Sequence, residues 1–188
     1  MKNSQIKSRE RVSRYAEVYT AEREVNAMLN LVGHESEKID STFLEPACGN
    51  GNFLIEILRR KLKTVQQAYG NSKKLFSRYA LLAISSIYGV DIQKDNVEEC
   101  RERLKSYFVD IYVGLFGVKP LNNLVSAVSQ ILNDNICWGN TLTYANGTGE
   151  PLRMFEWQML PDGNFIKKAF LLETMDTDNS AGIVYNWQ

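Results

Sequence analysis

Apolar residues recur along the chain with two spacings, one typical of helices and one of strands. Residues 12–32 show helical spacing in two blocks, and Thr20 at the break is expected to cap the second helix. The polar residues 34–41 predict a linker. A short apolar run then ends at Pro46, as in a buried parallel strand, and a helical pattern begins at Phe53. The order is therefore strand, glycine turn, helix.

The middle of the chain continues this alternation of helices and strands. The predicted elements are a loop at residues 64–74, a short helix within 78–86, a strand at 87–92, a long amphipathic helix at 96–116, a helix at 124–132 and a strand at 135–140. Strands that alternate with helices predict a parallel sheet with right-handed crossovers. Gly117 is expected to end the long helix.

The stretch from residue 141 onward differs in kind from the rest. Its pattern predicts a turn-rich connection at 143–151, a strand at 152–159, a turn at 160–165 and a final strand within 181–188. The expected fold is α/β and Rossmann-like, a mostly parallel sheet with helices on both faces, shortened at its C-terminal side. We expect residues 1–40 to form a helical segment that packs on the ligand site, and residues 41–188 to form one globular unit.

Composition narrows the possible partners and chemistry. In 188 residues, a hydrophobic content of 44% predicts one domain with a real core. The formal net charge is zero, so a nucleic-acid partner would need a local basic patch. With no signal-peptide pattern and no long apolar window, we expect a cytoplasmic protein without membrane contact. Three separated cysteines and the single His34 predict reduced thiols and no metal site.

The candidate chemistry centres on the sequence EPACGNGNFL at residues 45–54. Gly49 and Gly51 let the backbone approach a ligand and offer bare amide donors. The third glycine of a dinucleotide fingerprint is missing, and Glu45 would repel a phosphate at close range. A carboxylate at this place suits a ligand with an ammonium or sulfonium group. S-adenosylmethionine has both.

Polar residues also follow the next two predicted strands. Asp91 either accepts hydrogen bonds from ribose hydroxyls or caps the turn that follows it. Asn140 offers an amide that could pair with adenine. Ile92 and Trp138 could flank the adenine ring, although an aromatic residue in such a strand is more often part of the core.

Four segments together resemble the class I S-adenosylmethionine-dependent methyltransferases. Residues 45–54 resemble their first motif in the form used by adenine-specific DNA methyltransferases, including modification subunits of restriction systems. Residues 15–29 resemble the segment that folds over the methionine end of the cofactor, with Ala21 where the family usually has proline. Residues 88–92 and 135–142 resemble the second and third motifs. The resemblance implies a cofactor site made of Thr20, Glu45, Pro46, Ala47, Gly49, Gly51, Asn52, Phe53, Asp91, Ile92 and Asn140.

The resemblance ends before the family's catalytic motif, an Asn or Asp followed by two prolines and an aromatic residue. No two prolines of this sequence are adjacent. The nearest substitute is LPDGNF, with Asp162, Asn164 and Phe165, and an ordinary turn is the simpler interpretation. We therefore expect either a partner subunit that carries the catalytic and target-recognition parts, or a cofactor-binding module that acts in regulation or assembly.

Two basic segments are candidates for contact with DNA phosphates. The first lies in a stretch without acidic residues and the second in the N-terminal arm, and both could equally be solvated helix faces. The residues are Arg59, Arg60, Lys61, Lys63, Lys73, Lys74 and Arg78 in the first and Lys2, Lys7, Arg9, Arg11 and Arg14 in the second.

Overall fold

The computed structural model of this chain describes residues 7–15, 18–175 and 182–185, without the side chains of residues 14 and 15. Lys2, the side chain of Arg14 and half of the predicted final strand therefore lie outside the described residues. In chain order the elements are α1 (Arg9–Tyr15), α2 (Glu22–Leu31), α3 (Gly33–Glu37), β1 (Phe43–Glu45), α4 (Asn52–Tyr69), α5 (Lys73–Ser85), β2 (Ile87–Asp91), α6 (Lys94–Phe116), α7 (Asn122–Asn135), β3 (Ile136–Asn140), β4 (Ala145–Asn146), β5 (Arg153–Met159), β6 (Phe165–Leu171) and β7 (Ile183–Tyr185).

The first sheet has the order β1-β2-β3-β4. Strands β1, β2 and β3 are parallel, with Phe43 opposite Ile87 and Gly89 opposite Ile136, and the two-residue β4 pairs antiparallel with β3. Helices connect each parallel strand to the next, as the apolar pattern predicts. The predicted α/β fold with a mostly parallel sheet is confirmed.

Strand β1 is an edge strand, which corrects the prediction of a buried strand. Among the described residues, β1 pairs with β2 alone, and Leu44 is 43% exposed. The reason is that the C-terminal strands do not extend the parallel sheet. They form a second, antiparallel sheet of their own.

The second sheet has the order β5-β6-β7 and covers one face of β2. Tyr88 and Val90 pack there against Leu152, Met154 and Leu172. Strand β6 has no counterpart among the sequence predictions, because its run FIKKAFL carries two lysines in the middle. One of them, Lys167, forms an ion pair at 2.6 Å with Asp134, which is distant in sequence.

The helices differ from the predictions in two places near the N-terminus. Helix α2 begins after Ala21, which makes no side-chain capping bond, so Thr20 is not the cap. Residues 33–37 form the short helix α3, which includes the first half of the predicted linker; Ser36 is fully buried there, and its hydroxyl donates to the Gly33 carbonyl at 2.8 Å.

The predicted loop at residues 64–74 is mostly helical. Helix α4 continues to Tyr69, and only residues 70–72 separate it from α5. Val65 is fully buried, and the rings of Tyr69 and Tyr79 stack with centroids 3.9 Å apart. These contacts outweigh the polar character of the segment. No helix in the described part of the chain is both long and apolar enough to cross a membrane.

Candidate cofactor site

The glycine turn joins β1 to α4 at the carboxyl end of the parallel sheet. Gly49 and Gly51 have φ values of 52° and 89°, in the left-handed region that favours glycine. The amide of Cys48 donates to the Val90 carbonyl, and the amide of Gly51 to the Cys48 carbonyl, both at 2.8 Å. The turn is thereby fixed to the end of β2.

The two glycines serve different purposes. A Cβ atom on Gly51 would lie 2.6 Å from Sγ of Cys100, so Gly51 is required for packing against α6. A Cβ atom on Gly49 would lie 3.2 Å from the ring of Tyr19. Gly49 lines a cavity, and Gly51 is not among the residues that line it.

A cavity of about 220 Å³ opens beside this turn. The residues of the predicted cofactor site that line it are Thr20, Glu45, Ala47, Gly49, Asn52, Phe53, Asp91 and Ile92. Val18, Tyr19, Cys48, Asn50 and Gln93 complete the lining and were not in the predicted set. The cavity therefore collects residues from three separate parts of the chain.

Pro46, Gly51 and Asn140 are predicted site residues that the structure does not bring to the cavity. The Pro46 carbonyl accepts from Thr141 Oγ1 at 3.2 Å, and Asn140 Oδ1 accepts from the Leu142 amide at 2.9 Å. Asn140 therefore shapes its own turn. Trp138 is 36% exposed, and its indole donates to the Ile92 carbonyl at 3.1 Å.

Asp91 organises the turn from the end of β2. Its Oδ2 atom accepts from the Gly49 amide at 2.9 Å, and its Oδ1 atom accepts from the Gln93 amide at 2.8 Å. Asp91 therefore has the capping role that the sequence left open. It also lines the cavity, and Oδ2, which accepts one hydrogen bond from the described residues, keeps a lone pair that a ligand hydroxyl could use.

Glu45 is the carboxylate at the cavity mouth. Burial raises the pKa of Glu45, and a hydrogen bond from the Ala47 amide offsets this in part. No basic side chain in the described ranges forms an ion pair with it. A half-buried carboxylate without a cation is costly, so its charged form would gain from a cationic ligand.

Helix α6 supports the glycine turn from behind. Arg103 donates to the Asn50 carbonyl at 2.6 Å and to Asn52 Oδ1 at 3.0 Å. Asn50 donates to Glu99 at 2.8 Å, and Asn52 to the Thr20 carbonyl at 2.9 Å. The two asparagines of the motif thus connect the turn to α6 and to the N-terminal segment.

The N-terminal segment contributes Tyr19, a site residue that the sequence analysis missed. Its ring is buried against Gly49, and its hydroxyl donates to Asn96 Oδ1 at 3.0 Å. The sequence signal that could have identified Tyr19 is its position next to Thr20, inside the segment that resembles the cofactor-covering part of the family.

Ion pairs connect helix α1 and the residue Lys7 that precedes it to the start of α6. Lys7 lies 2.7 Å from Glu99, and Arg11 lies 2.5 Å from Asp95. The hydrogen bond from Arg11, with help from Lys7, lowers the pKa of Asp95 to about 2.

The LPDGNF segment forms the tight turn between β5 and β6. The amides of Leu160 and Gly163 donate to the carbonyls of Asn164 and Leu160, each at 2.8 Å. Phe165 is buried and does not line this cavity. The structure therefore does not bring Asp162, Asn164 or Phe165 to the cavity.

The glycine turn, Glu45 and Asp91 lie at the carboxyl end of a parallel sheet, which is where ligands bind in α/β domains. The family model described as RMKL-like, methyltransferase domain, matches residues 24–143, and the chain belongs to that family. It is thus a class I methyltransferase domain, a class whose usual methyl donor is S-adenosylmethionine. Searches among curated proteins and among solved structures gave no match. The matched range contains Glu45 and Asp91 and stops before β4.

Proposed function

We propose that this chain binds S-adenosylmethionine as an adenine-specific DNA methyltransferase-like protein of a restriction-modification system, and needs a partner subunit for methyl transfer. The observation that carries the proposal is the environment of Glu45. This half-buried carboxylate faces a cavity, and no described basic side chain forms an ion pair with it. A sulfonium or ammonium group would supply the missing positive charge.

The residues around the cavity fit the chemistry of such a ligand. Glu45 would hold the cationic methionine end, and Asp91 would accept from a ribose hydroxyl while it keeps the turn in place. The cavity volume of about 220 Å³ is below the ~300 Å³ at which ligand pockets usually begin. We infer that it holds one end of the cofactor, with the rest along the open surface at Ile92.

Bound S-adenosylmethionine would supply an activated methyl group, which needs little acid-base help. The task of the protein is then alignment. Glu45, Gly49 and Asp91 would bind and orient the donor. Orientation of the acceptor amine requires a second set of groups.

Adenine in DNA as the acceptor is supported by the form of residues 45–54, which resembles the first motif of adenine-specific enzymes. A partner subunit is supported by two features. Within the described residues, the outer side of β1 has no paired strand, although Glu45 at its end faces the cavity. The nearest substitute for the catalytic motif lies in a turn away from the cavity. The proposed partner would carry the catalytic and target-recognition parts.

A second candidate function is a cofactor-binding module without catalysis, acting in regulation or assembly. The position of Phe165 favours it, because the one aromatic residue of the substitute motif is buried and does not line the cofactor cavity, so it could not stack on a flipped base held there. Both candidates use the same cavity.

Calorimetry with S-adenosylmethionine tests the shared premise. Glu45→Gln keeps the size of the side chain and removes its charge, and we expect about tenfold weaker binding, equal to roughly 1.4 kcal/mol. Glu37→Gln, at an exposed position in α3, is the matched control and should bind as the wild type does. Equal affinity of all three proteins would remove Glu45 from the site.

A methyl-transfer assay separates the two candidates. The chain is incubated with DNA and radiolabelled S-adenosylmethionine, alone and with candidate partner subunits. We expect label on adenine only when a partner is present. Label on DNA from the isolated chain would refute the need for a partner. Cofactor binding without methyl transfer, both alone and with every candidate partner, would favour the binding module.

A further inference from the structure

The basic stretch of residues 59–78 divides into two parts with different surroundings. Arg59 and Arg60 pair with Glu56 at 2.9 Å and 3.3 Å, and Lys61 is fully buried. Lys73, Lys74 and Arg78 lie instead at a second cavity, which they share with Lys119 from the loop between α6 and α7. The second part therefore forms a cation cluster around an opening.

This second cavity has a volume of about 470 Å³. Its walls are mainly apolar, and no aspartate or glutamate is among the described residues that line it. They are Lys73, Lys74, Ser77, Arg78, Leu81, Tyr112, Val118, Lys119, Leu121, Asn123, Leu124, Gly163 and Phe165. None of them belongs to the Glu45 cavity, so the two sites are separate.

The cations at this cavity are not neutralised by the described part of the protein. Lys73, Lys74 and Lys119 form no ion pair there. Arg78 donates to the Asp162 carbonyl at 2.7 Å, which is uncharged, and its buried Nε atom has no hydrogen-bond partner. Four positive charges around one concave apolar surface attract an anion, and they do so most strongly when it carries more than one charge.

Two helices also begin at this cavity. Lys73 is the first residue of α5, and α7 begins at Asn122, next to the lining residues Leu121 and Asn123. The amides of a first helical turn favour an anion in front of them. The helix ends thus add to the field of the four side chains.

We propose that this cavity binds a phosphate carried on a flat apolar group, as in a nucleotide. The cations suit a doubly charged phosphate better than a single carboxylate. The walls formed by Leu81, Leu124 and the aromatic Tyr112 suit a base and sugar, and about 470 Å³ is within the ~300–1,000 Å³ of small-ligand pockets. The nucleotide is either free or one unit of a single DNA strand.

Titrations with pyrimidine compounds test this site without the adenine of the proposed cofactor. The probes are thymidine 5′-monophosphate, thymidine, inorganic phosphate and a short oligothymidylate. We expect the monophosphate to bind about tenfold more tightly than thymidine or phosphate alone. Equal binding of phosphate and monophosphate would overturn the role of the apolar walls. Tighter binding of the oligothymidylate indicates a DNA strand as the source, and equal binding indicates a free nucleotide.

Charge-reversal variants test whether the monophosphate binds at this cavity. Lys74→Glu combined with Lys119→Glu should weaken the monophosphate about tenfold or more, since both side chains are exposed and can be changed without loss of packing. The control Lys63→Glu/Lys105→Glu makes the same change in charge on α4 and α6, outside the cavity, and should stay within about twofold. No binding of either thymidylate probe, or equal weakening by both double variants, would overturn the proposal. Glu45→Gln should leave this binding unchanged, so the outcome is independent of the cofactor site.

Discussion

A buried or half-buried charged side chain lies near each end of β1, and the two side chains differ in their hydrogen-bond partners. At the amino end, Lys61 is fully buried and donates to the carbonyls of Ile39 and Ser41 and to Ser86 Oγ, the first at 3.2 Å and the last at 2.6 Å. At the carboxyl end, Glu45 is half-buried, and its protein partner is the amide of Ala47 in its own turn.

The difference separates an amine whose hydrogen bonds hold the fold from a carboxylate that is available to a ligand. Lys61 joins the segments before β1 and β2, so its hydrogen bonds fix how the two strands begin. The side chain of Glu45 bonds to no other element among the described residues and keeps acceptor capacity toward the cavity. Burial lowers the pKa of Lys61 to about 7 and raises that of Glu45, because it disfavours the charged form in both.

The largest effect is expected at the glycine turn of the carboxyl end. Gly51→Ala places a Cβ atom 2.6 Å from Cys100 Sγ and in a left-handed backbone. We expect a loss of roughly 3 kcal/mol in the free energy of unfolding, measured with urea. Cys100→Ala in the same chain should restore part of this loss and also cofactor binding. A stable double variant without cofactor binding would show that Gly51 contacts the ligand.

The second-largest effect is expected when the buried amine of Lys61, near the amino end of β1, is removed. Lys61→Met leaves two carbonyls and the Ser86 hydroxyl without their donor, and we expect a loss of roughly 2–3 kcal/mol. Lys63→Met, on an exposed position of the same helix, should change stability by less than about 0.5 kcal/mol. If the two variants are equally stable, Lys61 does not hold the strands.

The stability of the folded protein should depend on pH through Lys61. Its folded pKa of about 7 is below the value near 10.4 of a free lysine, so the unfolded chain binds more protons between these limits. Stability is therefore expected to rise by roughly 2 kcal/mol from about pH 7 to pH 9. Urea unfolding at several pH values measures it, and the rise should be absent in Lys61→Met. If the rise in stability persists in Lys61→Met, another titratable group causes it.

The smallest effect is expected on cofactor affinity in acid. Protonation of Glu45 removes the charge that would attract the ligand, and its pKa is raised, so affinity should fall as the pH is lowered toward and through that pKa. The limit is the roughly tenfold weaker binding expected for Glu45→Gln. Calorimetry at several pH values compares the two proteins. Parallel pH profiles would mean that Glu45 does not titrate with the ligand.

Local signals were sufficient to predict β1, β2, β3, α6 and the turn with Glu45 and Asp91. The strand-turn-helix pattern depends on neighbours in sequence, and Gly117 ends α6 in a left-handed conformation as predicted. Features decided by distant contacts were missed. Strand β6 carries Lys167, whose charge is neutralised by Asp134 on α7.

The same distinction applies to the site residues. Tyr19 and Asn50 reach the cavity because of their bonds to Asn96 and Glu99 on α6, which no local pattern encodes. Asn140 was expected at the ligand because it follows a strand. Its side chain instead accepts from the amide two residues onward, the common local use of an asparagine at the end of an element.

The position of Tyr19 links the N-terminal arm to whatever occupies the cavity. The ring rests against Gly49 and its hydroxyl bonds to Asn96, while Lys7 and Arg11 attach α1 to the same helix. Coupling between two binding events is reciprocal. Any ligand that favours the docked arm must be held more tightly by it in return, and occupancy of the cavity should protect the arm from proteolysis.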